Sequence, residues 1–184
     1  HGNSIRALLV ILNVFDIDNI NQFEIPTGKP IFIDYPDTTN YIFKNQYIIK
    51  GRQILDSRGN PTIEADLYKD KKLIGRGTAP SGASTGMNEA IEIRDKLQYT
   101  YMGKSVYKAI YNLDLFNNFM YLDEKTLKNL KKCDNQMIFL DGTQLKEKYG
   151  GNTTTAASFL FADAGANLSE KPLYEYLADI YGYS

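Results

Sequence analysis

The stretch Gly51 to Ala90, GRQILDSRGNPTIEADLYKDKKLIGRGTAPSGASTGMNEA, decides the fold. Ile54 and Leu55 lead into the turn cluster DSRGNP, and beyond it Ile63, Ala65 and Leu67 alternate with polar residues, the period of a half-buried strand. Three strand candidates, Tyr47 to Leu55, Pro61 to Tyr68 and Lys72 to Thr78, are joined by Arg58-Gly59-Asn60 and Lys69-Asp70-Lys71. Connections this short favour an antiparallel meander. The stretch ends in APSGASTG, which packs Pro80, Gly82 and Gly86 among Ser81, Ser84 and Thr85. Such a loop brings bare backbone and hydroxyl groups close to a small charged ligand, the composition of a lid.

Beyond the loop the pattern turns helical, with candidates at Asn88 to Asp95, Lys104 to Tyr121, Asp123 to Met137, Asn152 to Leu168 and Pro172 to Ile180. Val106, Ile110, Leu113 and Phe116 form one apolar stripe, and Leu127, Leu130 and Cys133 another, so these helices pack on something. Pro172 suits a first helical turn. Helices covering one face of a meander make an α+β layer architecture. Glu89 and Glu92, at helical spacing, read as a solvated helix face, and Arg58 as a structural turn residue.

The chain has 184 residues, 43% hydrophobic and 23% charged, room for one domain or one and a fraction. A formal net charge of −1 and a pI near 5.9 offer no basic surface for nucleic acid. The single cysteine, Cys133, excludes an intrachain disulfide, and there is no Cys/His cluster for zinc. A reducing cytoplasmic compartment and a helix-packing role for Cys133 are the expectation. The longest apolar run, near Ala7 to Phe15, is too short for a bilayer and lacks the flanks of a signal peptide. Both ends of the chain read as cuts.

RQILDSRGNPT followed by APSGASTG and EA closely resembles the start of enolase, the Mg²⁺-dependent lyase that dehydrates 2-phosphoglycerate to phosphoenolpyruvate. EIRD at Glu92 to Asp95, YMGKSVYKAI at Tyr101 to Ile110, LDGT at Leu140 to Thr143 and KPLYEYLAD at Lys171 to Asp179 extend the resemblance. It implies that 47–184 is the N-terminal capping domain, a three-stranded antiparallel meander followed by a helical subdomain. It further implies that Ser84 brings oxygen ligands to a second Mg²⁺, with Gly82, Ala83 and Thr85 shaping the lid against substrate. Arg52 and Glu64 match positions that pair with the partner subunit of a homodimer. A helix cap is the structural alternative for Ser84, Thr85 or Asn88. GGNTTTAASFLFADAGA, from Gly150 to Ala166, departs from the family's alanine-rich helix, and its threonines lower helix propensity, which puts the packing of that helix in question.

The first residues resemble something else. Ile5, Leu8, Leu9, Leu12 and Phe15 follow helical spacing behind Asn3 or Ser4 as a cap, Pro26, Gly28 and Pro30 mark a turn, and Ile31 to Tyr35 reads as a strand. This is the edge fragment of an α/β domain. HGNS, RAL and IPTGKP together look like the C-terminal end of cofactor-dependent phosphoglycerate mutase, whose complete form uses 2,3-bisphosphoglycerate. That likeness makes His1 a catalytic histidine, with Gly2 and Asn3 opening a helix around an anion. The polar run Asp37 to Gln46 then joins a mutase-like segment, 1–46, to the enolase-like one.

The reading is therefore a fragment of a glycolytic fusion that lacks both main catalytic cores and is inactive alone. The alternatives are a non-catalytic capping or interaction domain and an artefactual join of two adjacent genes.

Overall fold

The computed structural model describes residues 47–80, 82, 86 and 88–183. The elements expected within 1–46, and with them His1, Gly2 and Asn3, lie outside the described residues. β1 (Tyr47–Leu55), β2 (Pro61–Lys69) and β3 (Lys72–Thr78) form an antiparallel sheet in the order β1-β2-β3, the expected meander. Ile49 lies opposite Leu67, which lies opposite Gly75, and the register shifts by a bulge after Leu67. The first hairpin closes because Asp56 Oδ1 accepts from Arg58 N at 2.9 Å and Asn60 N at 2.8 Å, so Arg58 does sit in a built turn.

Five α-helices follow among the described residues: α1 (Tyr107–Phe119), α2 (Glu124–Leu127), α3 (Leu130–Asp141), α4 (Gly151–Leu168) and α5 (Leu173–Tyr181). α1 lies along β1, while α4 packs on β3 and β2. Period-two alternation puts Ile49, Ile63, Ala65 and Leu67 on the covered face, where they join Leu113, Phe116, Leu160 and Phe161 in one core. Each large apolar side chain buried there contributes about 1.5–3 kcal/mol. The result is the α+β layer arrangement that the pattern predicts.

α4 comes closest to the sheet. A Cβ added to Gly77 would stand 2.2 Å from Ala156 O and 2.3 Å from Leu160 N, so only a bare strand surface admits the helix backbone. The threonines do not loosen this helix, contrary to expectation. Thr153 is fully buried and its Oγ1 donates to Ala109 O at 3.0 Å, and Thr154 Oγ1 donates to Gly150 O at 3.1 Å. The tertiary bond of Thr153, worth about 1 kcal/mol, outweighs a propensity cost of about 0.5 kcal/mol per residue, and the Thr154 bond is local, to the residue that starts the helix.

Two helical expectations are corrected. The span Asp123 to Met137 divides, because Asp123 Oδ1 caps Thr126 N at 2.6 Å and Asn129 Oδ1 caps Lys132 N at 3.1 Å, each starting its own helix. Leu127, Leu130 and Cys133 are buried all the same. The span Asn88 to Asp95 is not helical. Its backbone groups bond to distant partners instead: Ile91 N to Leu145 O at 2.7 Å, Asp95 N to Ser105 O at 2.9 Å, and Gly151 N back to Ile91 O at 2.7 Å. A helix would have to give up these bonds. Cys133 packs as expected, and burial pushes its thiol up to about 12.

Candidate functional site

A groove of about 460 Å³ opens where the loop after β3 meets the start of α4. Pro80, Gly82 and Gly86 form its loop side, Glu89 to Glu92 its floor, and Gly151, Asn152 and Thr155 the helix side. Gly82 is exposed at this rim. Ala83, Ser84 and Thr85 lie outside the described residues. Among the described residues no helix follows directly for Ser84, Thr85 or Asn88 to cap, since residues 90–97 run on as a non-helical strap.

The strap is held from both sides. Asn152 Nδ2 donates to Ile93 O at 2.9 Å and its Oδ1 accepts from Ile93 N at 3.2 Å, so one amide brackets one extended residue. Arg94 donates through Nε and Nη2 to both carboxylate oxygens of Glu92, at 3.0 Å each. Its Nη1 donates to Pro61 O at 3.0 Å and to Lys104 O, tying strap, sheet and the approach to α1 together. Asp95 then caps α1 from a distance, accepting from Tyr107 N at 2.9 Å and Lys108 N at 2.8 Å. Burial pushes the Asp95 carboxyl up, but the hydrogen bonds from Lys108, Ser105 and Tyr107 outweigh it and hold the group below the usual carboxylate range. Glu92 is thus the partner of a bidentate guanidinium, not part of a solvated helix face.

The groove offers backbone, an amide, a hydroxyl and the carboxylates of Glu89 and Glu92. Among the described residues no three His, Cys, Asp or Glu side chains come together in a set that could hold a metal ion. This end of the domain provides a wall and a rim for a polar ligand.

The uncovered face of the sheet carries a second constellation. Asp66 is fully buried, accepting from Arg52 Nη1 at 2.5 Å, Arg76 Nε at 2.7 Å and Tyr68 OH at 3.2 Å. Glu64 lies opposite Arg52 in the register and pairs with it. Burial pushes Asp66 up, and the hydrogen bonds and charges of Arg76 and Arg52 more than offset this, leaving its carboxyl below the ordinary value. Within the chain Arg52 and Glu64 therefore belong to a network centred on Asp66. Sequence reading passed over Asp66, Arg94 and Asn152. The spacing of Glu64 and Asp66, two residues apart on one strand face across from Arg52 and Arg76, was the available signal for the first.

A three-stranded antiparallel meander with helices packed on one face defines an α+β layer domain. Residues 47–177, more than half of the chain, match the family model described as enolase, N-terminal domain, and the chain belongs to that family.

Proposed function

We propose that this chain is the capping part of an enolase-type lyase, which turns 2-phosphoglycerate into phosphoenolpyruvate and water with Mg²⁺ and works as a cytoplasmic homodimer. The observation that carries the reading is the family match, which spans the loop, the strap and the start of α4 that together line the groove. Gly82, Ala83 and Thr85 let the loop approach the substrate closely, and Ser84 contributes a hydroxyl oxygen toward Mg²⁺. The described residues do not form a cation site of their own, so the remaining oxygens would come from outside them. Arg52 and Glu64, on the uncovered sheet face, would meet the partner subunit.

For 1–46 we propose a C-terminal piece of phosphoglycerate mutase, with His1, Gly2 and Asn3 at its anion site and 2,3-bisphosphoglycerate as the cofactor of the complete enzyme. Fusion would couple consecutive reactions, since the product of the mutase is the substrate of the lyase. A second reading, a non-catalytic capping or interaction domain, is favoured by the engagement of Glu92 with Arg94, which ties up a carboxylate that lines the groove.

Ser84→Ala in the complete protein separates them. The lyase reading expects a loss of kcat that deepens as Mg²⁺ is lowered, with the melting temperature unchanged. Unaltered turnover at every Mg²⁺ concentration would refute the role of Ser84. The purified 184-residue chain by itself is expected to form no phosphoenolpyruvate from 2-phosphoglycerate, because the described residues of its groove hold no three-residue metal-ligating cluster.

A further inference from the structure

The described sheet ends in two edges, β1 on one side and β3 on the other. Alternate residues of an edge strand turn N–H and C=O outward, and such a row is a template for another chain. Here helix side chains occupy it. Ile49 N donates to Asn117 Oδ1 at 2.7 Å, and Asn117 Nδ2 donates to Ile49 O at 2.8 Å. Those are the two bonds that one residue of an adjoining antiparallel strand would make.

α4 treats the opposite edge alike. Arg76 N donates to Asp163 Oδ2 at 2.8 Å, and Asn167 Nδ2 donates to Ile74 O at 3.1 Å. Asp163 and Asn167 are four residues apart, one helical turn, and Ile74 and Arg76 are two apart, one strand repeat, so the two periods meet in register. Helix propensity does not account for these residues, since Asn and Asp are poorer helix formers than Ala. Asn117 faces β1, which reads YIIKGRQIL and has Ile48 49% exposed beside the edge.

We propose that Asn117 on one edge, and Asp163 with Asn167 on the other, are edge guards that stand where a strand of a second copy of this chain would pair, and so keep the sheet at three strands. The inference is independent of the lyase reading, because association through the face bearing Arg52 and Glu64 leaves both edges guarded.

The test uses the full chain. In the wild type the Ile49 and Arg76 amides should resist hydrogen exchange although neither faces a neighbouring strand; exchange at the rate of exposed amides would overturn the proposal. Asn117→Ala should lower protection at Ile49 about tenfold, the loss of one hydrogen bond, while Ile63 stays protected. It should also add concentration-dependent association beyond the wild-type state by light scattering, with an intermolecular β-sheet infrared band. Asp163→Ala/Asn167→Ala should do the same on the other edge, with Arg76 as the reporter. Variants that melt cooperatively yet keep the wild-type assembly state would overturn the proposal. Loss of cooperative melting in both would also overturn it, since these residues would then hold the fold together and not guard its edges.

Discussion

Replacing Gly77 by alanine places a methyl group against the backbone of α4, where nothing flexible can yield. The added Cβ would lie 2.2 Å from Ala156 O against an ordinary contact of 3.4 Å or more, so helix and strand must part by about 1 Å. A gap of that size forfeits roughly a quarter to a half of each contact across it. Leu160 alone makes about 40–60 contacts of 0.1–0.2 kcal/mol, of which the sheet-facing half is at risk, a loss of about 1 kcal/mol. With Ala156, Phe161 and Ala164 sharing the interface, the total comes to about 3 kcal/mol, the upper end of ordinary overpacking. For a chain of this size that lowers Tm by about 6–12 °C. Gly59→Ala is the control, since at φ +76 with no atom within 4 Å it carries left-handed strain alone, about 1 kcal/mol. Thermal unfolding by circular dichroism compares the two. A Gly77→Ala chain as stable as Gly59→Ala would refute the close seating of α4.

Asp66→Asn should cost about 2 kcal/mol near neutral pH, less than for a fully buried pair because both arginines are about half exposed. The folded carboxyl lies below its unfolded value of 3.8, so its contribution is fully present above that value and is lost as pH falls through the folded one. Urea titrations from about pH 6 down to pH 2 should therefore show the gap between wild type and variant closing; a constant gap would contradict the assignment. The Cys133 thiol, raised to about 12 and buried, should react with a disulfide reagent only as fast as the domain opens. Prompt labelling of the native chain would show that α3 is not packed as described.

The meander was legible in the sequence because what specifies it is local. Alternation at Ile63, Ala65 and Leu67 and turn chemistry at Asp56 to Asn60 act over a few residues, so strand positions and pairing follow without knowledge of anything distant. The stripes that fall on α1 and on α2 with α3 were legible for the same reason. The strap was not: Asn88 to Asp95 has helical spacing, yet Ser105, Leu145, Gly151 and Asn152 claim its backbone from well beyond a helical turn. Of the loop residues proposed for the site, the structure places Gly82 at the groove rim, and Ala83, Ser84 and Thr85 fall outside the described residues. That Glu92 binds Arg94, that Asp66 gathers two arginines, and that Asn117 and Asn167 cap strand edges became apparent only in three dimensions. A side chain's partner is set by where the chain returns in space, and that position depends on packing the whole core at once, as the approach of α4 to Gly77 shows.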